Sequence, residues 1–151
     1  MTSKYDHDFL IRESNRIENI VRDPTEAEVE EFYRFMALEA VTVNDLEKFV
    51  KVYQPGAHLR LRKDQNVMIG GRLAPIGGGE IYTRLRILVD DANLKKDSFQ
   101  IHIDYEYLHP FTDGNRRSGR MLWMWQNRNS PLLGYGFLRA FYYQTLRSKI
   151  K

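Results

Sequence analysis

The chain has 151 residues, no cysteine and a formal net charge of +3. That length suits one domain with a real core and is short for two. The missing cysteines exclude disulfides and thiolate metal sites, and no apolar run approaches membrane-spanning length. Lysines and arginines are scattered apart from a tail cluster at Arg147, Lys149 and Lys151. With no contiguous basic stripe and no nucleic-acid-binding motif, a nucleic-acid partner is disfavoured. The first residues, Met1 to Asp8, lack an apolar h-region, so no secretory signal is expected and a cytoplasmic protein is the default expectation.

The pattern predicts a first helix over about 6–21, with Leu10, Ile17, Ile20 and Val21 near one face and Phe9 beside them. Ser14 and Glu18 are four apart on it, hence surface neighbours. Asp23-Pro24-Thr25-Glu26 reads as a helix start with Asp23 as N-cap and Pro24 at N1. Val29, Phe32, Tyr33 and Met36 give that helix its apolar face, and it should end near Ala40. Thr42 opens a third helix with Leu46, Phe49, Val50 and Tyr53 inward, stopped by Pro55-Gly56. The stretch 57–75 then changes character. Leu59-Arg60-Leu61-Arg62 alternates, Val67-Met68-Ile69 is a short apolar run, and Gly70-Gly71 supplies a turn before Arg72-Leu73-Ala74-Pro75. This reads as a β-hairpin. Ile76-Gly77-Gly78-Gly79 is a connection and not a phosphate loop, because no Lys-Ser or Lys-Thr follows.

Glu80 to about Asn93 predicts a helix with Ile81, Leu85, Leu88, Val89 and Ala92 inward. Ser98 caps another that runs to Leu108, with Phe99, Ile103 and Tyr107 as its core stripe. His102 and Glu106 share a face of it, and with no third ligand apparent a surface hydrogen bond is the better reading than a metal site.

The next twelve residues, His109 to Arg120, hold a histidine, an acid, two glycines, an asparagine and three arginines. Pro110 stiffens the approach and Phe111 pins the loop to the core. His109 is the one group here that titrates near neutrality, which makes it the natural general base. Asp113 is a hard oxygen ligand suited to a Mg²⁺ that also holds phosphate oxygens. Gly114 allows a positive φ or close approach of backbone N–H groups to an anion. From Asn115 a helix is predicted, so its unpaired N–H groups and positive dipole end face the loop. Arg117 and Arg120 are three apart and can rise from one face as phosphate-binding forks. The helix continues through Met121-Leu122-Trp123-Met124-Trp125 and reads as the central buried one. Gly134-Tyr135-Gly136 reads as a turn, and a last helix spans Phe137 to Arg147 using Leu138, Phe141, Tyr142 and Leu146.

The run His109-Pro110-Phe111-Thr112-Asp113-Gly114-Asn115-Arg116-Arg117-Ser118-Gly119-Arg120 closely resembles the Fic family signature, His-Pro-Phe-x-(Asp/Glu)-Gly-Asn-(Gly/Lys)-Arg-x-x-Arg. The resemblance implies a mostly α, single Fic-type domain over 1–151 with a small β-hairpin flap. It implies an enzyme that moves AMP from Mg-ATP to a hydroxyl side chain of a target protein. His109 would be the base and Asp113 the Mg²⁺ ligand. Gly114, Asn115, Arg116 and Arg117 would hold the nucleotide, and Arg120 would fix its γ-phosphate. Ser14-Asn15-Arg16-Ile17-Glu18-Asn19 resembles the family's inhibitory pattern, (Ser/Thr)-x-x-x-Glu-(Gly/Asn), which implies that Glu18, flanked by Ser14 and Asn19, pairs with Arg120 and silences the enzyme. Val67, Met68, Ile69 and Gly70 resemble the flap whose edge takes an extended target by strand addition. Self-modification and a homo-oligomer are both compatible with this reading. Arg116 departs from the glycine of AMP-transferring members. That keeps three alternatives open: a Doc-like phosphotransferase, a de-AMPylase with Glu18 orienting water, and a catalytically weak nucleotide-binding relic.

Overall fold

The computed structural model describes residues 4–141, with side chains from residue 7 onward. Among them are seven helices and one two-stranded antiparallel hairpin: α1 (Lys4–Ile17), α2 (Glu26–Met36), α3 (Val43–Tyr53), β1 (Met68–Ile69), β2 (Arg72–Leu73), α4 (Gly79–Asn93), α5 (Ser98–Leu108), α6 (Asn115–Gln126) and α7 (Leu133–Ala140). This is the mostly α architecture with a small hairpin that the sequence predicts.

α6 is the hub. Ser118 through Trp125 are all buried, and α1, α2, α3, α4 and α5 all pack against it. Gly119 lets α5 pack tightly on it: an added Cβ would stand 2.9 Å from the ring of Tyr105. α3 starts as expected, with Thr42 and Asp45 closing a reciprocal capping box. In α2 the cap is Thr25 rather than Asp23, because Glu28 lies three residues on and returns the bond to the Thr25 N–H. α2 also stops at Met36, short of Ala40.

Other expectations are corrected by packing. The stripe Phe99, Ile103 and Tyr107 is 49%, 44% and 50% exposed, and α5 buries Ile101, His102, Tyr105 and Leu108 instead. α5 carries apolar residues around its whole circumference, so its own periodicity does not choose a face; contact with α6 does. The hairpin is shorter than 57–75. Only Met68–Ile69 and Arg72–Leu73 pair as strands, around Gly70 with φ 60°, while Leu59 bridges to Phe111 of the loop between α5 and α6. Gly134 and Gly136 lie inside α7 rather than in a turn. The expected helix beyond Phe141, with Tyr142, Leu146 and the basic tail, lies outside the described residues. No described helix is long and apolar enough to cross a membrane.

Candidate active site

The loop between α5 and α6 is pinned at both ends. α5 terminates at His109, which adopts the left-handed conformation with φ 47° and ψ 64°, an uncommon state for a non-glycine residue but one that histidine tolerates better than most. The Pro110 carbonyl accepts from the Arg60 N–H at 2.9 Å, and the Thr112 N–H donates to the His58 carbonyl at 2.8 Å. Phe111 is buried between them. The Asn115 side chain accepts from the Phe111 N–H at 2.8 Å and donates to the Phe111 carbonyl at 2.9 Å. Gly114 then turns the chain into α6 with φ 77°, where a Cβ would also meet Gln54 at 3.1 Å.

This frame sets the chemistry of His109. Its Nδ1 lies 2.6 Å from the Glu106 carbonyl oxygen. A carbonyl only accepts, so Nδ1 carries the proton and Nε2 is left with its lone pair. Burial pulls the imidazole below its ordinary range. The carbonyl opposes that, and the positive charges of Arg116, Arg60 and Arg72 add to it. The ring is therefore a neutral base at neutral pH.

His109 borders a cleft of about 360 Å³ that it shares with Glu18, Val67, Met68, Asp113, Gly114 and Arg116 among others, within the roughly 300–1,000 Å³ common for small-molecule sites. α6 begins at the cleft without a side-chain cap, so its first N–H groups are available to an anion. The exposed Asp113 carboxylate faces the same space and accepts from the Gly114 N–H at 2.8 Å. No cluster of three or more potential ligands stands among the described residues. A single carboxylate fits Mg²⁺, which keeps waters and relies on substrate phosphates for the rest of its shell.

At the rear of the cleft α1 meets α6. Arg120 is fully buried, and it donates from Nε to Ser14 Oγ at 3.0 Å, from Nη2 to the Ser14 carbonyl at 2.9 Å and from Nη2 to Glu18 Oε2 at 2.7 Å. α1 ends at Ile17 instead of running to Val21, so Glu18 is a cap residue and not a helix-face residue. Asn19 is left-handed with φ 63°, its N–H reaches the Arg16 carbonyl at 2.9 Å, and the Ile20 N–H reaches the Asn15 carbonyl at 3.1 Å. These bonds form a Schellman cap, which wants glycine or asparagine at that position. The cap swings Glu18 back across the helix end onto Arg120.

A sequence model described as the Fic/DOC family matches residues 26–126 of the chain. This chain belongs to the Fic/DOC family. The crystal structure of a Fic family protein from Desulfovibrio desulfuricans G20 superimposes with a TM-score of 0.54 at 22% identity, over 93% of this chain and 50% of that one. At that identity the likeness is one of fold, and this chain spans about half the length of that Fic protein. No curated protein matches the chain in sequence. The family match takes in α2 to α6 and the whole loop, while Ser14, Glu18 and Asn19 lie N-terminal to it.

Within this Fic domain several side chains stand differently from expectation. Arg117 turns inward: it donates to Asn15 Oδ1 at 3.1 Å, to the Tyr53 carbonyl at 2.7 Å and to Gln54 Oε1 at 2.9 Å, with Glu28 at 3.8 Å. It ties α6 to α1, α2 and α3, and borders the cleft as a largely buried cation whose donors are taken by these partners. The side chain of Asn115 likewise staples the loop, leaving its backbone for an anion. Arg116 is the exposed cation at the cleft. His102 and Glu106 are 3.5 Å apart but largely buried, not on the surface. Burial, with the Arg120 charge, pushes His102 down to about 4, and burial raises Glu106. Val67 and Met68 border the cleft, so the hairpin does stand beside His109. Sequence reasoning passed over Arg60, whose alternation with Leu59 and Leu61 placed it on one face without showing that the face is interior.

Proposed function

We propose that this Fic domain transfers AMP from Mg-ATP to a hydroxyl of a protein segment laid along β1. The supporting observation is the pinned, neutral His109 with Nε2 unprotonated at the uncapped start of α6. In this reading Nε2 takes the proton of the target hydroxyl, the oxygen bonds to the α-phosphorus, and the bond to the bridging oxygen breaks so that pyrophosphate leaves. The N–H groups from Asn115 onward and the Arg116 side chain balance charge on the phosphate oxygens, with Arg117 contributing its charge from the cleft wall. Mg²⁺ held by Asp113 would neutralise the polyphosphate and the leaving pyrophosphate. β1 pairs only with β2 among the described residues, so its other edge can take an extended target backbone.

Arg116 favours one rival, transfer of the γ-phosphate in the manner of the Doc branch, since a cation there can draw the triphosphate into another orientation. ATP labelled at the α-phosphate separates the two: label on protein supports AMP transfer, and label transferred only from the γ-position supports the rival.

Two further outcomes are expected from the site's geometry. The rate falls as pH drops through the pKa of His109, and because that pKa is lowered, the acid limb lies below the ordinary value of about 6.5. Arg116→Gly removes one of the three nearby cations and moves that limb up, as a pH–rate profile would read. Asn19→Val forces a β-branched residue into the left-handed region, a strain of about 1–2 kcal/mol. It should loosen Glu18 and raise AMP transfer, whereas Asn19→Gly keeps the cap and the low activity.

A further inference from the structure

Arg60 is fully buried, yet among the described residues no carboxylate forms an ion pair with it. Its guanidinium donates to four backbone carbonyls instead: Nε to His109 at 2.6 Å, Nη2 to Leu108 at 2.8 Å, and Nη1 to Pro75 at 2.8 Å and Gln65 at 3.1 Å. Two of these carbonyls close the C-terminus of α5, where a cation meets the negative end of the helix dipole. The other two flank the hairpin. The backbone of the same residue repeats the pattern, its N–H on Pro110 and its carbonyl accepting from the Gly78 N–H at 2.9 Å.

We propose that Arg60 is a positioning residue that joins the hairpin to the catalytic loop, so that a target segment held on β1 and the imidazole of His109 keep one fixed separation. This rests on the function proposed above. An interior guanidinium without a counter-ion is costly unless its donors are satisfied, and here they are satisfied across two segments that have to be aligned for transfer. Only arginine has a planar fork able to reach four acceptors in different directions; lysine has a single ammonium. None of these hydrogen bonds goes to the nucleotide side of the cleft, from Asp113 along α6, and Arg60 does not line the cleft, so ATP binding should be indifferent to it.

The test uses the full chain carrying Glu18→Gly, with Arg60→Lys and Arg60→Met compared for transfer kinetics, thermal transition and hydrogen exchange. Arg60→Lys should keep KM for ATP within about twofold and lower kcat about 10–100-fold, as a misplacement on the order of 1 Å does. Exchange should speed up together in 65–76 and 109–114 while α2 to α4 and α6 stay protected. Arg60→Met should do the same more strongly. A kcat within twofold of the parent, exchange rising in one segment alone, or variants that melt below the assay temperature would each overturn the positioning role, the last leaving Arg60 a purely structural cation. If the Glu18→Gly parent itself transfers no AMP, the proposed function fails, and the exchange pattern alone decides whether Arg60 couples the two segments.

Discussion

If the proposed function holds, Glu18→Gly should raise AMP transfer from α-labelled ATP by about 5–150-fold, the span of an inhibitory coupling of about 1–3 kcal/mol. The Arg120 guanidinium is wholly buried beneath α1, with Glu18 Oε2 at 2.7 Å and Ser14 bonded twice beside it. A γ-phosphate cannot take that guanidinium while the carboxylate holds it, and a triphosphate brought up to Glu18 meets like charge. ATP can still enter the open front of the cleft, so the gain should fall on kcat more than on KM for ATP. Glu18→Gln keeps the side chain's shape and loses its charge, so an intermediate gain separates charge from steric blocking. Self-modification should rise in parallel. An unchanged rate in Glu18→Gly, with ATP binding intact by calorimetry, would end the autoinhibition reading.

On the same reading, His109→Ala, made in the Glu18→Gly chain so that a rate is measurable, should lose about 10²–10⁴-fold in transfer, the usual worth of a positioned general base. ATP affinity should be kept, because the N–H groups of α6 and Asp113 are untouched. One confounding effect is conformational: His109 is left-handed, and alanine there is strained by about 1–2 kcal/mol. His109→Asn is the control, since asparagine accepts that backbone state and supplies no base at neutral pH. Both variants should be equally inactive while Asn melts higher. If His109→Asn keeps most of the activity, the imidazole is not the base, and the neutral tautomer set by the Glu106 carbonyl has another use.

What could be read along the chain is what neighbours in sequence decide. Thr42 with Asp45 specifies the start of α3, because the two reciprocal bonds close within four residues. Ile81, Leu85, Leu88, Val89 and Ala92 fall on one side of α4, and that side is buried. The order of types from His109 to Arg120 puts a histidine, an acid and a helix start side by side, and in the fold all three line one cleft. The resemblance puts Glu18 on Arg120, and it stands there, although α1 stops sooner, Asn19 makes the turn and Ser14 adds two bonds that the pattern does not announce.

Tertiary structure decided what depends on partners far along the chain. α5 offers an apolar residue in every direction, and the packing of α6 selects Tyr105 over Phe99 and Tyr107. Arg117 and Arg120 share a face of α6 and both are buried, but Arg117 is met by Asn15, Tyr53 and Gln54, residues 102, 64 and 63 positions away, and Arg120 by Ser14 and Glu18. Arg60 sits in an unremarkable alternation, and its four acceptors lie 5, 15, 48 and 49 positions off. Helix starts and apolar stripes follow from bonds within one or two turns, whereas the use of a guanidinium follows from whichever carbonyls and carboxylates the folded chain brings within about 3 Å of it, and no local pattern contains that information.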